Sequence, residues 1–131
     1  MKTLFLSLSL LVSLNLNLLA NDGAEALFDA KCSSCHLKEK PQDMSSLVAP
    51  PIVGVMKHVN KKYHSKEEAI NFITDFVMNP QKDKSVCKTQ KLNRFGLMPS
   101  QKGKLTQEEL STISKWMIEN YSSKKHGRNC N

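Results

Sequence analysis

The sequence feature that most constrains the fold of this chain is the pentapeptide Cys32-Ser33-Ser34-Cys35-His36. A C-x-x-C-H motif places two thiols for thioether bonds to the vinyl groups of a haem, and directly after them an imidazole for the iron. We therefore expect one haem c, attached covalently through Cys32 and Cys35, with His36 as an axial ligand.

Three other uses of this cysteine pair stay open from the sequence. A thioredoxin-type redox pair lies in a βαβ unit, whereas the residues before Cys32 have helical spacing. A structural zinc site needs a second ligand pair of comparable spacing, and Cys87 and Cys130 do not provide one. A disulfide between Cys32 and Cys35 would close a short, strained loop and leave His36 without a role.

The first twenty residues have the composition of a secretory signal peptide. Lys2 precedes an apolar run from Leu4 to Leu19, which serine and asparagine interrupt and which ends at Ala20. We predict that residues 1–20 are the signal peptide and that residues 21–131 form one periplasmic domain. The alternative is an uncleaved anchor that tethers the domain to the inner membrane, facing the periplasm.

The domain is predicted to be all-α, with three main helices. Apolar residues and both motif cysteines recur at spacings of three and four between residues 23 and 35, which indicates a first helix. Ser65 with Glu68 has the capping-box pattern that begins a second helix, and Thr106 with Glu109 has the same pattern at the start of the last.

Long loops are predicted between these helices, at residues 37–64 and 81–104, because prolines and glycines interrupt both segments. Three amphipathic helices bury little apolar surface, so we expect a flat apolar cofactor to fill the centre of the domain. Met78 and Met117 lie on or beside the apolar stripes of the helices and are predicted to pack in the core.

Met98 is the predicted second ligand of the iron. It lies in a loop marked by glycine and proline, directly before the last helix. A thioether is a soft, neutral donor that favours ferrous iron and raises the reduction potential. The main alternatives are Met56 and His58 in the first long loop, and weaker ones are His64 and His126.

With these motifs the chain resembles the class I c-type cytochromes over residues 23 to 121. Gly23 and Phe28 match the glycine and the aromatic residue of that family's first helix. The resemblance implies that Phe28 packs against Trp116 and Tyr121 in the last helix. It also implies the cytochrome c fold, in which three main helices and long loops surround one covalent haem.

The segment Ala-Pro-Pro-Ile-Val-Gly at residues 49–54 is similar to the G-P-x-L-x-G segment of the same family. The similarity implies that the Pro50 carbonyl accepts a hydrogen bond from His36 and so fixes the orientation of the imidazole. Ala49 departs from the pattern, because the family has glycine there.

The chain has a formal net charge of +7, and its basic residues concentrate before the last helix. We expect this basic loop to surround the exposed edge of the haem and to dock on acidic faces of redox proteins. Nucleic acid, stable membrane insertion after signal cleavage and self-association are not expected. The basic residues are Lys82, Lys84, Lys88, Lys91, Arg94, Lys102 and Lys104, against one acid, Asp83.

Two cysteines remain outside the motif, and an oxidising compartment favours a disulfide between Cys87 and Cys130. The resemblance implies a one-electron carrier without catalytic residues, and not an enzyme. The alternatives are the haem subunit of a larger oxidoreductase, for example one that oxidises sulfur compounds, and a ligand-sensing haem protein with an open sixth position.

Overall fold

The computed structural model describes residues 22–122, and within them the fold is all-α, as predicted. The helices are α1 (22–31), α2 (Ile52–Lys62), α3 (Lys66–Met78), α4 (Thr89–Phe95) and α5 (Gln107–Asn120). One isolated bridge joins Lys102 to Leu105 in this range. The predicted signal peptide at residues 1–20 lies outside the described residues, and so does the tail after residue 122.

Helices α3 and α5 begin where the capping boxes predict. The Glu68 amide donates to the Ser65 hydroxyl over 3.1 Å, and the Ser65 amide donates back to the Glu68 carboxylate over 3.3 Å. Thr106 and Glu109 make the same pair of bonds, at 3.1 and 2.8 Å. Each box satisfies backbone N–H groups that have no partner within the helix.

The first long loop is predicted wrongly, because residues 52–62 form α2. Pro50 and Pro51 precede the helix, where a proline removes no helical hydrogen bond, and Pro51 occupies its N-terminal cap. Ile52, Met56 and Val59 are all buried. Their spacing of four and three residues is that of one helical face, so packing of this face on the core explains why α2 forms.

The second long loop also contains a helix, α4, so the described chain has five helices and not three. This helix has seven residues, none of them buried. It ends at Gly96, whose positive φ of 76° is a conformation that glycine adopts without steric cost. The side chain of Arg94 donates a hydrogen bond to the Met44 carbonyl and ties α4 to the loop before α2.

The core lies between α1, α2, α3 and α5. The Phe28 and Trp116 rings pack at 5.0 Å between centroids, and Tyr121 meets Trp116 edge-on at 5.8 Å, which confirms the predicted contact between the first and last helices. Met78 and Met117 are buried in the same cluster, as predicted. Among α2 to α5, the pair with the most extensive contact is α3 and α5.

Candidate functional site

The C-x-x-C-H motif continues the path of α1 by one further turn. The Cys32 amide donates to the Phe28 carbonyl over 2.8 Å, and the His36 amide donates to the Cys32 carbonyl over 2.9 Å. These are i to i−4 bonds, so Cys32 and His36 lie one above the other on the same side of the turn. Because Phe28 is buried in the core, its bond to Cys32 anchors the start of the motif to the core.

His36 is oriented by the Pro50 carbonyl, as the resemblance implies. The distance from His36 Nδ1 to the Pro50 oxygen is 2.8 Å. A carbonyl oxygen can only accept, so Nδ1 carries the proton in this bond. In the neutral imidazole, Nε2 is then the nitrogen with a free lone pair, which is the form that binds a metal.

The protonation state of His36 suits the same role. Burial lowers the pKa of the imidazole from 6.5, and the bond to Pro50 opposes that effect only in part. The neutral ring therefore predominates at neutral pH. A ligand that is already neutral loses no proton when it binds a metal.

The segment between His36 and Pro50 is closed by the backbone. The Ile52 amide donates to the Leu37 carbonyl over 2.8 Å, which brings the first residue of α2 beside the residue after His36. Since Pro50 is two residues before Ile52, this closure places its carbonyl next to the imidazole. The start of α2 therefore positions the hydrogen bond between His36 and Pro50. The sequence predicts this segment as part of a loop.

The surroundings of Cys32 favour an uncharged sulfur. Burial raises the pKa of Cys32 to about 11, and the nearby Cys35 adds to the effect. Redox-active and zinc-binding cysteines require thiolates and have lowered pKa values. Both cysteines are free thiols, and the described residues contain no group of three His, Cys, Asp or Glu side chains able to hold a metal ion. A thioether, which carries no charge, suits this position better.

Met98 is placed by a separate set of contacts, at the end of α3. The Ser100 hydroxyl donates to the Met78 carbonyl over 2.5 Å, and the Gln101 amide donates to the Val77 carbonyl over 3.0 Å. Met98 is half-buried in the irregular stretch between Gly96 and these anchors. Its role as a second iron ligand stays a prediction.

The alternative ligands differ in how accessible they are. Met56 has no exposed surface and is a member of the core cluster, so it fills the core. His58 is half-buried on α2, and His64 is exposed just before α3. His126 lies outside the described residues.

Half-buried apolar side chains from several elements pack against the core cluster. Those side chains include Leu27, Val53, Val55, Val77 and Val86.

Charge is divided between two regions of the molecule. In α1, Glu25 and Asp29 are both bound by Lys38, at 2.6 and 2.8 Å. In the basic loop, Lys84 pairs with Asp75 at 2.8 Å. No other basic residue of that loop has a carboxylate partner among the ion pairs of the described chain, so its positive charge is largely uncompensated.

Cys87 is a half-buried free thiol, whose pKa is raised chiefly by burial. Its predicted partner, Cys130, lies outside the described residues. The chain that leads to Cys130 leaves α5 at Tyr121, whose carbonyl accepts a 2.8 Å bond from Asn60 of α2. The disulfide stays a prediction.

Comparison with known proteins gives one full-length similarity. The chain is 29% identical to an uncharacterized protein of Aquifex aeolicus (strain VF5), in an alignment that covers 98% of both chains. No protein-family model and no solved structure matches the chain. Among residues 22–122, no helix is both long enough and apolar enough to cross a membrane.

Proposed function

We propose that this chain is an exported class I c-type cytochrome that carries single electrons between redox proteins in the periplasm. One haem c is attached through Cys32 and Cys35, with His36 and Met98 as the axial ligands. The observation that carries the proposal is the 2.8 Å bond from His36 Nδ1 to the Pro50 carbonyl, within a motif that already specifies two thioether bonds.

Each residue of the site has a distinct task in this function. The haem supplies reversible one-electron chemistry at its iron. The two cysteines hold the group covalently, so it is not lost on exchange between partners. Pro50 keeps the His36 ring in one tautomer and one orientation, which limits rearrangement when the charge of the site changes by one unit.

The attachment is tested with cysteine variants of the full chain, expressed in a host that has a haem-attachment machinery. Wild-type protein should keep its haem on a denaturing gel. Cys32→Ala with Cys35→Ala should abolish haem staining, whereas Cys87→Ala, a half-buried cysteine outside the motif, should leave it unchanged. Staining that survives loss of both motif cysteines would refute the proposal.

Docking on acidic partners follows from the uncompensated charge of the basic loop. Oxidation of the reduced protein by hexacyanoferrate(III), an anionic acceptor, should slow as ionic strength rises, because salt screens the attraction. Lys88→Gln should lower the rate at low salt, and Lys115→Gln on α5 should not. An oxidation rate that depends neither on salt nor on Lys88 would show that the basic loop does not attract the acceptor.

A further inference from the structure

A cavity of about 200 Å³ lies between the first half of α2 and the region of α4. Its wall is apolar along Pro50, Pro51 and Val53, and it also contains three basic side chains. The basic groups are Lys40, His58 and Lys91, and no carboxylate lines the cavity. Cys87 and Met44 complete the part of the wall that faces α4 and the preceding loop.

The potential in this cavity is positive from more than one source. Burial is the main cause that lowers the pKa of His58, and the positive charges of four lysines, Lys88, Lys57, Lys61 and Lys91, lower it further. Neither Lys40 nor Lys91 forms an ion pair with a carboxylate in the described chain. In addition, α2 begins here without a side-chain cap and without an acid in its first turn, so its positive dipole end is uncompensated.

The same wall contains three soft donors, Cys87, His58 and Met44, which in other surroundings could bind a cation such as copper. The surrounding lysines oppose any cation, since no carboxylate or thiolate offsets their charge. The electrostatics of the cavity therefore favour a negatively charged ligand.

We propose that this cavity is a binding site for a small anion, a carboxylate or an inorganic oxyanion, held by Lys40, His58 and Lys91. Lysine and imidazole side chains in the wall of a partly apolar cavity match such a ligand in charge and hydrogen bonding. The anion has two possible sources. One is a free anion from solution, and the other is a propionate carboxylate of the haem.

The second source rests on the proposed function, and Pro50 is the reason to consider it. This residue lines the cavity and also accepts the hydrogen bond from His36. One residue is therefore shared by the cavity wall and by the bond that orients the proposed proximal ligand. Porphyrin carboxylates placed near an apolar crevice need such donors, because an unpaired charge is costly there.

The test uses purified full-length protein, inorganic phosphate as the probe, and the ring resonances of His58 in proton NMR as the readout. If the anion is free, phosphate should shift these resonances saturably. Lys91→Gln should weaken phosphate binding about tenfold, as expected for one lost charge-assisted hydrogen bond. The control Lys115→Gln, exposed on α5, should bind phosphate like the wild type.

If a propionate occupies the cavity, phosphate should leave His58 unshifted in the haem-loaded protein. Lys91→Gln, but not Lys115→Gln, should then shift the propionate methylene resonances of the ferric form. The proposal is overturned if phosphate leaves the His58 resonances unshifted and both variants have the propionate resonances of the wild type. A colourless product would refute the proposed cytochrome alone, because phosphate binding at His58 can still be measured on that polypeptide.

Discussion

Substitution by alanine should have opposite effects at Met56 and Met98. The first should change mainly the stability and the second mainly the haem spectrum, because the two side chains lie in different surroundings. Met56 has no exposed surface and is surrounded by the core cluster. Truncation of a fully buried methionine to alanine costs about 2 to 5 kcal/mol, as the sum of lost transfer free energy and the cavity left behind. Met56→Ala should therefore destabilise the fold strongly.

Met98 is half-buried in an irregular segment, so its truncation removes less packing. We expect Met98→Ala to lower the free energy of unfolding by about 1 kcal/mol through lost packing. Loss of the bond to iron should lower it further. Its main effect should be spectroscopic. The weak far-red absorption band that marks methionine ligation of ferric haem should disappear in Met98→Ala and persist in Met56→Ala.

The assay combines urea unfolding, followed by helical circular dichroism, with the visible spectrum of the ferric protein. The slope of the unfolding free energy against urea should stay constant, so that the shift in midpoint reports stability alone. If Met98→Ala keeps the far-red band, the assignment of Met98 as iron ligand is wrong.

Three further predictions concern a helix cap, an ion pair and the two cysteines outside the motif. Thr106→Ala should lower the free energy of unfolding by about 1 kcal/mol in urea titrations, while Thr106→Ser should restore most of it, because the cap needs only a hydroxyl. Lys84 lowers the pKa of Asp75 below 3.8, so the stabilisation from this pair is present above pH 3.8 and is lost as pH falls through the folded-state pKa. The difference in unfolding free energy between wild type and Asp75→Asn should therefore shrink on acidification. A difference that does not change with pH would exclude the effect. Cys87 and Cys130 should resist alkylation until reductant is added, and intact mass should show two alkylatable thiols only then; the bridge should contribute about 3 to 4 kcal/mol.

The elements that could be predicted from sequence are those with local signals at their ends. Ser65 with Glu68, and Thr106 with Glu109, fix the first turns of α3 and α5 through bonds between residues three apart in sequence. Asn79 and the proline after it end α3 for an equally local reason. Both helices begin where expected, and α3 also ends where expected.

Helix α2 shows why prolines can mislead. A proline disrupts a helix only when it lies beyond the first turn of that helix. Pro50 and Pro51 both precede α2 and so do not disrupt it. The spacing of Ile52, Met56 and Val59 was available in the sequence as evidence for a buried helical face. Helix α4 carried no such signal, since none of its residues is buried and only Gly96 marks its end.

The candidate site divides in a similar way. The motif from Cys32 to His36 is local, and its chemistry could be predicted from residue types and spacing. The bond between His36 and Pro50 was implied by resemblance, but its geometry depends on the start of α2, a helix that was not predicted. The cavity between α2 and α4 could not be foreseen, because it requires both unpredicted helices and brings together residues as distant in sequence as Lys40 and Lys91.

The central claim is that a haem is bonded through two sulfurs to the turn that follows α1. The most direct test is pyridine haemochrome spectroscopy on wild-type protein after acid and organic extraction, which removes haem that is not covalently held. We predict a c-type haemochrome spectrum and one haem per chain. A colourless extracted protein, with the mass of the polypeptide alone, would contradict the account.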